Sequence, residues 1–405
     1  MRVFVSPLPP VLAVLALSAC RAPVVPSVDR VDLFSREIGR MEDQIALYDL
    51  EGDRGLRRTD FAMRDGLFYI SDSQGEKIVR YTSFGDLLFM IYNDETNPPP
   101  LSLRPQSEDS SLVTRWAFPY PLREPGKIAV DSRKHIYAGD ILPPDRHGVD
   151  GETRALLDSV ILHFDSDGRF IEYLGQEGIG GSPFPRISAL YVSSRDELAV
   201  ICRLSSGWNV YWFDDSGTLL YLVQLENSAI PVPQGWSGLT PSVDALAAAP
   251  DERKLYLKVD YYRDTFDEST TTRTGSEPGV SIVWIMNVED GVYSGRVEVP
   301  LADYVSTENG RTLASQRLYS LLGVIRGGRI FLSYPTEEGY SILVLDADSD
   351  TTGNQHRGSI RVSNDELRFN AFDLSAEGIL SAMLASDYEV KLVWWRTDRL
   401  LGALP

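Results

Sequence analysis

RDGLFYISDSQGEKIVRYTSFGDLLFMI, residues 64–91, is the stretch that decides the fold. It contains three short apolar strands, at 67–71, 77–81 and 86–91, with polar or glycine-containing turns between them. A fourth short strand at 60–63 precedes it, so the chain reads as a four-stranded β-meander. A single sheet of this kind leaves both of its faces uncovered, and it therefore needs further sheets to pack against.

The same four-strand plan recurs along the chain. Further modules begin near residues 125, 187, 243, 321 and 370, which gives six modules in all. Repeated meanders of this kind predict an all-β fold, a six-bladed β-propeller of four-stranded antiparallel blades. Seven blades are the alternative if the N-terminal segment forms one. The terminal strand at 399–401 is short, so we expect the lead-in near Leu33 or Leu47 to complete the last blade and close the ring.

The second module resembles a known repeat family. PGKIAVDSRKHIYAGD at 125–140 and ILHFDSDGRF at 161–170 look like an NHL-type repeat. That resemblance implies a β-propeller, commonly six-bladed. The residues also make sense by themselves, because Ile128 and Val130 alternate as a strand requires, and Asp167–Gly168 supplies the positive φ of a tight hairpin.

Bulk composition limits the possible partners. The chain has 405 residues, 43% of them hydrophobic, which is enough for a large core. Its formal net charge of −19 argues against nucleic acid as a partner, since a phosphate-binding surface needs clustered Lys and Arg. We expect a monomer.

The first twenty residues read as an export leader. Arg2 precedes an apolar run at 11–17 that ends in Leu-Ser-Ala-Cys at 17–20. This resembles the lipobox of bacterial lipoproteins, which implies cleavage before Cys20 and attachment of diacylglycerol and palmitate there. The alternative is an ordinary secretory leader with an incidental cysteine.

The leader also implies a cellular location and a domain organisation. Residues 1–19 would be the signal peptide, 20–30 a lipidated tether and 31–405 one propeller domain. The membrane would then be contacted through the N-terminal lipid, and the protein would face the periplasm or the cell surface of a bacterial envelope. The whole chain resembles NHL-repeat lipoproteins of the kind found in spirochaetes. Cys202 has no partner in such a protein and is expected to be a small buried side chain, a reactive thiol being the alternative.

Module length varies at particular connections. Long excursions occur at 93–123, 141–158, 261–279 and 300–316, whereas the turns between strands one and two, and three and four, are short. In a four-stranded blade, the connections between strands two and three and the links between blades share one face of the disc. We therefore expect all four excursions to cover one mouth of the central channel, where a ligand would bind.

Polar side chains are expected to converge at that mouth. The starts of the innermost strands and the ends of the second strands point there, and these positions also include Ser188, Arg203 and Asp387. The predicted ligand-binding residues are Asp60, Asp72, Lys127, Asp140, Asp244, Asp260 and Asn370. Several carboxylates round a channel could hold Ca²⁺. The alternative is that they cap strand ends by accepting backbone N–H bonds, in which case no metal or cofactor is needed.

Aromatic residues in two of the excursions could line the rim for a sugar or a peptide. They are Trp116, Phe118, Tyr120, Tyr261 and Tyr262. The alternative is that these rings fasten long loops onto the blades.

Two functions remain open. The first is a non-catalytic binding or scaffolding module for a protein, peptide or glycan. The second is a metal-dependent propeller enzyme of the lactonase, lyase or dehydrogenase type, with a divalent ion in the channel. The sequence has no G-x-S-x-G elbow, and its four histidines have no H-E-x-x-H spacing, so no catalytic residue is assigned.

Overall fold

The computed structural model describes residues 25–48, 58–105, 115–233, 235, 236, 238–267, 272–308, 311–347 and 355–402. The leader, Cys20 and the start of the tether lie outside these residues. The described chain forms six sheets, each built on four antiparallel strands, and the innermost strands of neighbouring sheets contact one another in a ring. The predicted six-bladed β-propeller is confirmed.

The blades are numbered in chain order, and their strands run from the channel outwards. Blade 1 has Asp60–Arg64, Leu67–Asp72, Lys77–Thr82 and Leu87–Tyr92, and blade 2 has Ile128–Val130, Ile136–Ile141, Ser159–Phe164 and Phe170–Gly175. Blade 3 has Ile187–Val192, Leu198–Arg203, Gly207–Phe213 and Leu219–Glu226, and blade 4 has Leu239–Ala248, Lys254–Phe266, Arg273–Asn287 and Tyr293–Val299. Blade 5 has Ser320–Ile325, Arg329–Thr336, Gly339–Asp346 and Gln355–Arg361, and blade 6 has Phe369–Leu374, Leu380–Ala385, Glu389–Trp395 and Arg30–Glu37.

Short helices and additional short strands are attached to this ring. Short 3₁₀ helices occur at Pro144–Arg146, Asn227–Ala229, Asn364–Glu366 and Thr397–Leu401. Trp116–Pro119 pairs in parallel with the outer strand of blade 1, Arg104–Pro105 lies beyond it, and Gly178–Ile179 pairs with the outer strand of blade 2. No helix among the described residues is long and apolar enough to cross a membrane.

The ring is closed by the N-terminal strand. Arg30–Glu37 pairs antiparallel with Glu389–Trp395 and so becomes the outer strand of blade 6. The expectation that the lead-in near Leu33 closes the ring is therefore confirmed, and there is no seventh blade in the described chain. The strand expected at 399–401 is wrong. Thr397–Leu401 is a 3₁₀ helix, and Leu400 and Leu401 pack against the apolar cluster between blades 5 and 6.

The core is divided among the blade interfaces. Among the described residues the buried apolar side chains form six clusters, and each lies between two neighbouring blades. Alternation along each strand sends successive side chains to opposite faces of the blade, which is why one strand contributes to two interfaces. Cys202 is fully buried between blades 2 and 3, as expected, and burial raises the pKa of its thiol.

On the face that carries the turns between strands one and two, hydrogen bonds join neighbouring turns. We call this face the turn face. Asp65 and Gly66 adopt positive φ there, at 49° and 75°, as the Asp-Gly pair predicts. Bonds between neighbouring turns join Asp65 to Lys134, Ser132 to Asp196, Ser194 to Pro250, Asp251 to Gly327 and Arg326 to Ala376.

The opposite face, which we call the loop face, carries most of the long connections. The expectation that all of 93–123 covers the mouth is wrong, because Trp116–Pro119 lies along the outer edge of blade 1. The sheet order places the hairpin Ala302–Glu308 with Arg311–Arg317, and the hairpin Gly148–Val149 with Leu156–Leu157, on this side. The excursion expected at 261–279 is largely a continuation of two strands of blade 4, because residues 261–266 pair with residues 273–280.

The N-terminal segment 38–48 also lies on the loop face. The Nζ of Lys77 donates to the carbonyl oxygens of Met41 and Gln44 at 2.6 and 2.7 Å. The Asp72 carboxylate accepts the Ala46 N–H at 2.8 Å. Asp72 and Lys77 are both fully buried, so this polar contact fastens the segment over blade 1.

Candidate ligand-binding site at the channel mouth

The central channel contains a cavity of about 220 Å³ lined by the innermost strands. Asp60, Tyr191 and Asp373 face it, and the Lys127 Nζ lies 3.4 Å from an Asp60 oxygen. Asp373 accepts the Met63 N–H at 2.9 Å. Burial, together with the nearby Asp60 carboxyl, raises the pKa of Asp373 to about 7. The channel therefore contains an acid whose protonation changes near neutral pH.

A second cavity, of about 250 Å³, opens on the loop face where blades 1, 2 and 3 meet. We call it the mouth pocket. Its charged lining consists of four cations, Arg58, Lys127, Arg186 and Arg203, and one carboxylate, Asp140. Thr59 and Ser188 add hydroxyl groups. In a chain whose net charge is −19, this pocket is locally basic.

Chain geometry explains why these residues meet. Lys127 and Ser188 begin the innermost strands of blades 2 and 3, and Asp140 and Arg203 end the second strands of the same blades. The bonds from the Gly139 N–H to the Lys127 carbonyl, 2.8 Å, and from the Arg203 N–H to the Arg186 carbonyl, 3.0 Å, hold each pair in register. Ser188 lies at a register shift between Ile187 and Ala189.

Asp140 has a structural task. Its carboxylate accepts the backbone N–H groups of Arg123, Glu124 and Ile141 at 3.1, 2.8 and 2.9 Å. Burial raises the pKa of Asp140 to about 6, and the three N–H donors oppose that rise. The carboxylate therefore fixes the end of the 93–123 excursion beside the pocket and has little capacity left for a ligand.

The arginines of blade 3 are differently placed. Arg186 and Arg203 are exposed, and no carboxylate oxygen of a described residue lies within 4.0 Å of either guanidinium. The Arg203 guanidinium carbon lies 5.3 Å from the centre of the Trp208 ring, a cation–π contact that restrains the side chain. The other two cations have carboxylate partners. Arg58 lies 3.6 Å from the exposed Glu124, and Lys127 lies 3.4 Å from Asp60 in the channel.

Other predicted site residues lie outside the mouth pocket. Asp260 binds the Lys258 Nζ at 2.6 Å, and Asp244 lies 3.7 Å from the same nitrogen, so blade 4 has its own ion cluster. Asp72 is buried beneath segment 38–48. Asn370 is exposed on the innermost strand of blade 6.

The aromatic residues mostly pack against the blades. Trp116, Phe118 and Tyr120 are half-buried against the cluster between blades 1 and 2. Tyr261 is not on a rim, because its side chain is fully buried and its hydroxyl bonds to Pro231 and Trp284. Tyr262 is half-buried on the extended hairpin of blade 4, and its proposed contact with a ligand stays a prediction.

The structure adds residues that the sequence argument missed. Arg186 lies directly before the first strand of blade 3, as Lys127 does in blade 2, so the strand-start rule could have found Arg186; Arg58 lies one residue further from the first strand of blade 1. Asp373 and Lys258 gave no signal, since neither their type nor their spacing stands out within their strands.

Metal ligands do not converge in the described part of the chain, where no group of three His, Cys, Asp or Glu side chains is arranged to hold an ion. The carboxylates expected at the mouth are instead bonded to backbone N–H groups or to Lys127, Lys77 and Lys258.

Comparison with known proteins finds only distant similarity. No protein-family model matches the chain, and no curated protein matches its sequence. Among solved structures, a protein of unknown function from Dyadobacter fermentans is 11% identical with a TM-score of 0.41, covering 92% of this chain and 100% of that one. The polysaccharide lyase Uly1 is 9% identical with a TM-score of 0.42, covering 90% and 99%. A glucose dehydrogenase is 10% identical with a TM-score of 0.37, covering 90% and 98%. At these values no function is carried over.

Proposed function

We propose that this protein is a lipid-anchored, extracytoplasmic propeller that binds a protein, peptide or glycan at the loop face without catalysing a reaction. The observation that carries the proposal is the mouth pocket. It is a cavity that opens on the loop face, and two of its donors, Arg186 and Arg203, have no carboxylate partner among the described residues. The lipid anchor and the extracytoplasmic location are supported by the lipobox-like residues 17–20 of the sequence.

The two faces of the disc differ in the way a binding module requires. Neighbouring turns on the turn face are short and bond to one another. The loop face combines extended hairpins with the mouth pocket. Long connections over a rigid scaffold are the usual place for ligand contacts, and a propeller provides such a scaffold.

An enzyme is the second candidate, and one observation favours it. Asp373, with a pKa near 7, and Asp60 face the same channel cavity, and a carboxyl that titrates near neutrality suits proton transfer. If these carboxylates also hold Ca²⁺, adding the ion should raise the melting temperature, and Asp373→Asn should abolish the rise. Our first proposal predicts no rise.

The binding proposal is tested by blocking one face at a time. Ser188→Trp places a large ring in the mouth pocket, at a position where the strand pairing is already irregular. Glu377→Trp places the same ring on an exposed turn of the turn face. We would screen the purified wild-type protein against peptide and glycan arrays and then compare both variants on whatever binds.

We expect Ser188→Trp to lose the bound ligand and Glu377→Trp to retain it. The reverse pattern, equal retention by both variants, or an absence of binding to either array would contradict the proposal. Equal melting temperatures for the two variants serve as the folding control.

A further inference from the structure

The mouth pocket is rich in donors and poor in free acceptors. Arg58, Lys127, Arg186 and Arg203 can only donate hydrogen bonds, and the single lining carboxylate, Asp140, already accepts three backbone N–H groups. A ligand that satisfies these donors must therefore be rich in acceptors.

The fold brings together the chain segments that carry these cations. A Cβ placed on Gly126 would lie 3.4 Å from the Cβ of Arg58, so the chain before blade 1 touches the start of blade 2. A Cβ placed on Gly139 would meet Ile187 at 3.4 Å and the Lys127 carbonyl at 3.6 Å, which joins blade 2 to blade 3. The four cations thus stand on three blades round one cavity.

Like charges that share a cavity repel, and partners relieve that repulsion only in part. Arg58 and Lys127 have Glu124 and Asp60 at 3.6 and 3.4 Å. Arg186 and Arg203 line the same pocket and have no such partner among the described residues. Guanidinium groups without a carboxylate partner match the planar or tetrahedral oxygens of an oxyanion.

We propose that the mouth pocket binds an oxyanion, the carboxylate, phosphate or sulfate group of the ligand, between the cations of blades 1, 2 and 3. This rests on the proposed function and names the chemical class that the loop face recognises. Thr59 and Ser188 add hydroxyl donors to the same group. The rest of the ligand extends towards the long connections.

Titration calorimetry at low salt tests the inference. The probes are D-galacturonate and its uncharged analogue D-galactose, with inorganic phosphate and sulfate as bare oxyanions. We expect at least one anion to bind, galactose not to bind, and affinity to fall at least about fivefold between about 20 and about 200 mM salt, because partly exposed charges are screened.

Variants locate the binding. Arg186→Gln with Arg203→Gln should weaken the anion about tenfold or more. The matched control is Arg195→Gln with Arg326→Gln, which removes two exposed arginines from the turn face, side chains 51% and 53% exposed, and leaves the affinity unchanged. Both double variants change the net charge equally, so a loss confined to the first pair cannot come from overall charge.

Three outcomes would overturn the inference. They are equal binding of galactose and galacturonate, no binding of any of the three anions at low salt, and equal loss of affinity in both double variants. Failure here is distinguishable from failure of the proposed function. A protein whose array ligand is lost in Ser188→Trp, but which binds none of these anions, is a loop-face binding module for a neutral ligand.

Discussion

Closure of the ring depends on a buried ion cluster that we expect to be the most sensitive electrostatic contact in the fold. Glu366 accepts bonds from the Arg30 guanidinium at 2.6 and 2.8 Å and from the Lys391 Nζ at 3.1 Å. Arg30 belongs to the closing strand and Lys391 to the strand it pairs with. These bonds lower the pKa of Glu366 to about 2, with the Arg30 bond as the largest cause.

The perturbation is Glu366→Gln, which removes the charge and keeps the shape. A pKa that falls from an ordinary 4.5 to about 2 corresponds to about 3 kcal/mol of stabilisation, and solvent access to Lys391 reduces this to about 2 kcal/mol. We therefore expect the free energy of unfolding at neutral pH to fall by about 2 kcal/mol.

The pH dependence gives a second check. Because the folded-state pKa is depressed, the stabilisation is present above the unfolded-state value of 4.5 and is lost as pH falls towards about 2. The difference between wild type and Glu366→Gln should therefore shrink to about half or less at about pH 3.

Urea unfolding is the assay, followed by intrinsic tryptophan fluorescence, to which Trp394 and Trp395 beside the closing strand contribute. The control is Glu389→Gln, which removes the exposed partner of Lys391 at 3.3 Å and should cost less than about 0.5 kcal/mol. Equal costs for the two variants, or a Glu366→Gln deficit that does not change with pH, would refute the reasoning.

Further predictions concern other parts of the molecule. Burial lowers the pKa of His163, whose ring nitrogen lies 3.1 Å from that of His135. The folded state therefore binds fewer protons than the unfolded chain, and stability falls as pH drops below about 6.5. In His163→Phe the free energy of unfolding, measured with urea, should depend less on pH between about pH 7 and 5. Lys77→Met should lower the free energy of unfolding by about 3 kcal/mol and speed proteolysis of segment 38–48, because it leaves the buried Asp72 carboxylate without its cation. A protease-resistant segment would contradict this. Cys20→Ser should move the protein from the membrane fraction to the soluble fraction without changing its melting temperature; retention in the membrane would count against the lipid anchor.

The sequence predicted the architecture because each blade is a local meander. Strand alternation and turn residues such as Asp65–Gly66 act over a few residues, so the strand order within each blade could be predicted, whereas seven blades stayed open as an alternative to six. Ring closure was harder, because Arg30–Glu37 meets its partner from the other end of the chain. The apolar residues at 400 and 401 suggested a strand there, but they are needed to cover the interface between blades 5 and 6.

The site was predicted in part. Strand-end positions correctly brought Lys127, Asp140, Ser188 and Arg203 to one cavity. Asp140 matches the alternative that carboxylates at strand ends accept backbone N–H bonds, but which segment supplies those N–H groups depends on long-range packing that the sequence pattern does not give. The basic character of the pocket depends on Arg58 and Arg186, which lie outside strands and in a strongly acidic sequence.

Hydrogen–deuterium exchange, with and without the ligand that binds most tightly in the array screen, tests the central claim most directly. We expect binding to slow exchange at residues 58–60, 126–128 and 186–188, which surround the mouth pocket, and to leave the turn-face segments 131–135 and 193–197 unchanged. Slower exchange confined to the turn-face segments would contradict the account.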